Sequence, residues 1–176
     1  IPCTLLPFFL NFDNYIDYRG NNLSNTYAKL KNNKKLNVVY FGGSVTNGTG
    51  ASDSNVTSWR ALVGQWLKNI NTNAEITNIN SAVGATGSVY GTYRLDRHVL
   101  EKAPDLFFIE FSINDYLDWH HSGKDYRQIA SQHLRTIIRK VRTAYPTCDI
   151  VVLHTVDKAV ASTMAQGRYY PEAQAH

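Results

Sequence analysis

Three short polar turns carry the residues in this chain that could do chemistry. The first is Gly42-Gly43-Ser44-Val45-Thr46-Asn47-Gly48, the second Asn80-Ser81-Ala82-Val83-Gly84-Ala85-Thr86-Gly87, and the third Ser112-Ile113-Asn114-Asp115. A serine on a glycine turn can present its hydroxyl as a nucleophile, because glycine lets the backbone take positive φ and lets a substrate come close. Acyl transfer also needs donors aimed at the oxygen that gains charge in the tetrahedral intermediate. Ser44 is the candidate nucleophile, the backbone N–H groups of Ser44 and of Gly84 or Ala85 are candidate donors, and the Asn114 amide is a third. Removing one such donor typically costs about 10²–10³ in turnover, so three of them would carry much of the rate.

Each turn follows a run that reads as a strand. Residues 37–41 (NVVYF) are β-branched and aromatic, 75–80 (EITNIN) alternate, and 105–111 (DLFFIEF) give the strongest strand signal; 149–156 (DIVVLHTV) supply a fourth. Between them lie helical patterns. Trp59, Leu62, Val63, Trp66, Leu67 and Ile70 form one apolar stripe, a shorter helix is expected over 93–100, and a long one over about 125–145 ends at Pro146. The order β-α-β-α-β-α-β predicts an α/β domain with a parallel sheet covered on both faces. In such a sheet ligands bind at the carboxyl ends of the strands, where all three turns fall. Residues 1–36 are expected to be an irregular outer extension, and 37–176 the domain.

The three turns, in this order and each after a strand, resemble the first three sequence blocks of the SGNH (GDSL-like) hydrolases, over about residues 37–156. The resemblance implies a three-layer α/β/α fold with a flavodoxin-like parallel sheet. It also implies a serine nucleophile in the first block, glycine and asparagine oxyanion donors in the second and third, and an Asp-x-x-His in the last. Gly43 stands where the family often has Asp. The family's donor glycine is usually the fifth residue after the Asn of its block, which is Ala85 here, one place after Gly84. A backbone N–H can come from either residue, so both are kept. The family's Asp-x-x-His lies beyond a fifth strand, so the last strand and the catalytic Asp/His loop are expected to be missing from 37–176. Residues 169–176 resemble the stretch leading into that strand, which argues against His176 as the base. A literal Asp118-Trp119-His120-His121 follows the third turn, making His121 a weaker candidate base, expected on an exposed loop tip.

The remaining composition excludes more than it suggests. With 176 residues, 43% hydrophobic and 18% charged, the chain fits one globular domain. Its net charge of +4 is spread out, and the cluster at Arg135, Arg139, Lys140 and Arg142 reads as the solvated face of a helix, so nucleic acid is set aside. No apolar run approaches a membrane span. Neither glycine turn is a phosphate loop or a dinucleotide fingerprint, and the six histidines and two cysteines show no metal spacing, so no metal or organic cofactor is implied. His98, His133 and His154 read as structural; Cys3 and Cys148 could pair or stay free. Tyr90, Tyr93, Tyr116 and Trp119 could stack on sugar or simply pack. Three sequons, at Asn22, Asn47 and Asn55, and a first residue other than Met leave localisation open, with a secreted or lumenal setting slightly favoured.

The reading is a serine ester hydrolase working through an acyl-enzyme. The resemblance implies a small-molecule or carbohydrate ester as substrate, either an O-acetyl group or another short acyl chain. Two alternatives stay open: an inactive relative that serves as a binding or structural assembly protein, or one half of a two-chain enzyme whose second chain completes the fold.

Overall fold

Alternation along the central strand sets the architecture. The computed structural model describes residues 23–122 and 126–154, the side chains of 118–122 and 126–127 excepted. In β1 (Leu36–Gly42), Leu36, Val38 and Tyr40 face one helix layer while Val39 and Phe41 face the other, as the two-residue period of a strand requires. All five are buried. Strands β2 (Ile76–Asn80), β3 (Leu106–Glu110) and β4 (Asp149–Val152) complete a sheet of order β2-β1-β3-β4 with every pairing parallel. The result is the expected α/β sheet covered on both faces.

One face packs on helices α1 (Ser24–Lys31) and α3 (Trp59–Ile70) through Leu30, Leu67 and the half-buried Trp59, Val63 and Trp66. The other packs on α4 (Ser88–His98) and α6 (Tyr126–Ala144), where Leu95, Ile137 and Val141 meet Phe41, Phe107 and Phe111. The chain leaves β1 for β2 at one edge, then crosses back over β1 to reach β3. Connections from β1 and β3 therefore leave toward opposite faces and open a crevice at their carboxyl ends. Two short elements begin there: α2 (Ser44–Asn47) after β1, and α5 (Ser112–Ser122) after β3.

Several expectations change. The segment before β1 is not irregular throughout, because α1 docks on the sheet: Asp149 accepts from the Thr26 N–H at 2.7 Å and from the Asn25 amide at 3.1 Å. A carboxylate from β4 thus satisfies the open start of α1. Helix α4 begins at Ser88, five residues before its expected start, because Asp115 accepts from the Ser88 N–H at 2.7 Å. Its Gly91 fits only as glycine, since a Cβ there would lie 2.7 Å from the Phe111 ring. The third turn and the Asp118–His121 stretch, expected as turn and loop tip, run together as α5. Leu62 and Ile70 lie at the flanks of the α3 stripe and stay exposed. Among the described residues, no helix is long and apolar enough to cross a membrane.

Candidate active site

Strand β1 delivers Ser44 by stopping sharply. The Gly43 N–H donates to the Glu110 carbonyl at 3.3 Å, and Ser44 then opens α2, which ends at Gly48 with φ 96°. A buried carboxylate lies beneath this turn. Glu110, 2% exposed at the end of β3, accepts from the Thr46 hydroxyl at 3.0 Å and from the Ser112 hydroxyl at 3.4 Å. A buried ionisable group is tolerable only when so bonded, and here the bonds join the first turn to the third. Gly42 has no room for a side chain, since a Cβ would lie 2.3 Å from the Thr46 hydroxyl oxygen and 2.4 Å from the Glu110 carbonyl oxygen.

The second turn extends the β1–β2 pairing before it bends inward. The Ser81 N–H donates to the Tyr40 carbonyl at 2.8 Å and the Val83 N–H to the Gly42 carbonyl at 3.0 Å. Asn80 accepts from the Ala82 N–H and donates to the Asn47 side chain, each at 3.1 Å, which links the first two turns. Gly84 then comes beside Ser44: a Cβ built on it would be 3.9 Å from the Ser44 Cβ. Ala85 follows with φ 56°, a left-handed conformation that costs an L-residue about 1–2 kcal/mol.

The third piece arrives from α5. The Asn114 amide donates to the Thr86 carbonyl at 2.8 Å, and its nitrogen occupies the space a Gly43 side chain would need, 2.2 Å from the ideal Cβ position. The Asn114 amide thus packs directly on Gly43. Next to it Asp115, 5% exposed, bonds the first N–H of α4, a carboxylate at the positive end of a helix. Ser44, Gly84 and Asn114 thus converge through Gly43 and Thr86, and Ala85 adjoins them in the chain. Sequence reasoning missed Glu110 and Asp115, whose only signal was an acidic residue at a strand end or helix start that other segments need as acceptor.

The other candidates fall both within and outside the described residues. His121 belongs to α5, with its side chain outside the described residues; His176, residues 169–176, Cys3, Asn22 and the Trp119 side chain also lie outside them. His154 lies past the end of β4 rather than within the strand, with its pKa lowered by burial against the opposing pull of the Glu110 charge. His133 joins α6 to α4 through the Thr92 hydroxyl at 2.9 Å. Cys148 is a free thiol, buried in the core and pushed up to about 12. Tyr90 and Tyr93 are exposed on α4. Among the described residues, no three His, Cys, Asp or Glu side chains gather as metal ligands.

Comparison with known proteins adds independent findings. The profile of the GDSL-like Lipase/Acylhydrolase family matches residues 40–176. A two-domain esterase (CEX) active on acetylated mannans, co-crystallized with mannopentaose, superposes with a TM-score of 0.65 at 27% identity, over 76% of this chain and 34% of its own. The chain therefore spans about a third of that esterase's length. The acetylxylan esterase Axe2 from Geobacillus stearothermophilus superposes with a TM-score of 0.58 at 16% identity, over 79% of this chain and 68% of its own, a likeness of fold. No curated protein sequence matches.

Proposed function

The chain belongs to the GDSL-like lipase/acylhydrolase family, and from that premise we propose that it is a serine ester hydrolase with Ser44 as nucleophile. One observation carries the reading: the turns after β1, β2 and β3 meet at the reversal of strand order, with Gly84 against Ser44 and the Asn114 amide against Gly43. In this mechanism the Ser44 oxygen attacks the ester carbonyl carbon while a general base takes its proton. The carbonyl oxygen becomes an oxyanion, held by the N–H groups of Ser44 and of Gly84 or Ala85 and by the Asn114 amide. Collapse of this intermediate expels the alcohol, which receives the proton, and leaves acyl-Ser44. Water, giving a proton to the base, then attacks the acyl carbon, and collapse releases the carboxylic acid while the serine oxygen takes the proton back. The resemblance implies that an Asp-x-x-His supplies this base.

Carbohydrate O-acetyl esters are the substrate class this reading favours, since the similar structures include esterases of acetylated mannan and xylan. The test is release of acetate from acetylated mannan, acetylated xylan and p-nitrophenyl acetate by the full chain and its Ser44→Ala variant. Hydrolysis that disappears in the variant while its melting temperature holds supports the reading. Equal rates in the two would remove Ser44 from the mechanism.

A further inference from the structure

Helix α4 buries a cation on the face that packs against the sheet. Arg94, between the buried Gly91 and Leu95, is 7% exposed. A desolvated guanidinium demands acceptors. Its Nη2 donates to the Gly42 carbonyl at 3.1 Å, and its Nη1 donates to the Ser81 carbonyl and lies 3.3 Å from the His98 Nδ1. The guanidinium carbon sits 4.1 Å from the centroid of the Phe41 ring, a cation–π contact that replaces part of the lost hydration. Among the described residues no carboxylate pairs with it, and desolvation lowers its pKa only to about 10, so it remains charged at neutral pH.

The two carbonyls are not arbitrary ones. Gly42 is the last residue of β1, two before Ser44, and Ser81 follows β2, three before Gly84. The Gly42 carbonyl also accepts from Val83, so three segments meet at one fork. We propose that Arg94 is a positioning residue: its guanidinium fixes the spacing of the Ser44 turn and the Gly84–Ala85 turn, and thereby aligns nucleophile and oxyanion donors. The inference rests on the reading of Ser44 as nucleophile. Lysine cannot replace it, because one ammonium on a flexible stem does not reproduce a planar fork. Displacements near 1 Å at a reacting centre can cost about 10² in rate.

The experiment is ester hydrolysis by the full chain carrying Arg94→Lys, with kcat divided by the number of sites titrated with an organophosphonate. A purely structural role would reduce the number of folded, titratable sites and leave the rate per site intact. Expected is a loss of about 10–100-fold in kcat per site, with KM within about 3-fold. A rate per site within about 2-fold of the parent overturns the proposal, whatever the melting temperature. Should the lysine variant not fold, Arg94→Met is measured the same way; if neither folds, the residue serves the fold and the proposal is wrong. If the parent protein is not labelled at Ser44, the nucleophile reading itself has failed, and this inference falls with it.

Discussion

Adding one methyl group at Gly43 should displace the Asn114 amide, the proposed oxyanion donor, without touching it in sequence. In Gly43→Ala the new Cβ would stand 2.2 Å from the Asn114 amide nitrogen, whereas ordinary contact begins near 3.4 Å, a required retreat of about 1.2 Å. The Asn114 amide is the end of a side chain and can swing away, but doing so breaks its 2.8 Å bond to the Thr86 carbonyl. That bond is worth about 0.5–1.5 kcal/mol, so a domain of this size should melt about 1–6 °C lower. The larger effect is on turnover, about 10²–10³ in kcat, because an oxyanion donor acts mainly in the transition state; KM should stay within a few-fold. Steady-state kinetics on a short acyl ester would be measured for the parent, Gly43→Ala, Asn114→Ala and the double variant. Since both changes remove the same donor, Gly43→Ala should cost little more, under about 3-fold, once Asn114 is already alanine. Additive losses, or an alanine at Gly43 with full activity, would refute the placement of Asn114 in the site.

The remaining predictions concern the fold around the site. Asp149→Ala leaves the Thr26 N–H of α1 without its acceptor and should lower unfolding free energy by about 1–3 kcal/mol; an unchanged urea midpoint would show that α1 is not anchored there. Burial lowers the pKa of both His98 and His154, and repulsion from Arg94 lowers that of His98 further. Below pH ~6.5 the unfolded chain then binds more protons than the folded one, so stability present above that pH is lost as pH falls through the folded values. The midpoint should decline on acidification, less steeply in the double variant His98→Asn/His154→Asn; equal slopes would count against lowered pKa values at these rings.

What could be read in advance was local. The strands were legible because buried parallel strands are unbroken runs of β-branched and aromatic residues, as in Val38, Val39, Tyr40 and Phe41. The three turns were legible because their glycine and amide residues have few other uses at strand ends. Helix α1 was not, since only Thr26 and Leu30 of its eight residues are buried and its anchor, Asp149, lies more than a hundred residues away. Helix α4 begins earlier than its pattern suggests because Asp115, from α5, caps it, while α5 itself replaces an expected turn and loop tip. Nothing in its residue type marks Arg94 as buried; its neighbours Gly91 and Leu95, spaced for a buried face, are the available signal. Sheet order leaves no mark on any single strand, but the observed β2-β1-β3-β4 is the order of the flavodoxin-like sheet that the resemblance implies.

The central claim is that Ser44 becomes covalently acylated. It is tested most directly by treating the full chain with a fluorophosphonate, then mapping the adduct by peptide mass spectrometry while following ester hydrolysis. The account predicts one modified residue, Ser44, with labelling and loss of activity in step. Activity lost with the adduct on another residue, or preserved with Ser44 fully labelled, would contradict it.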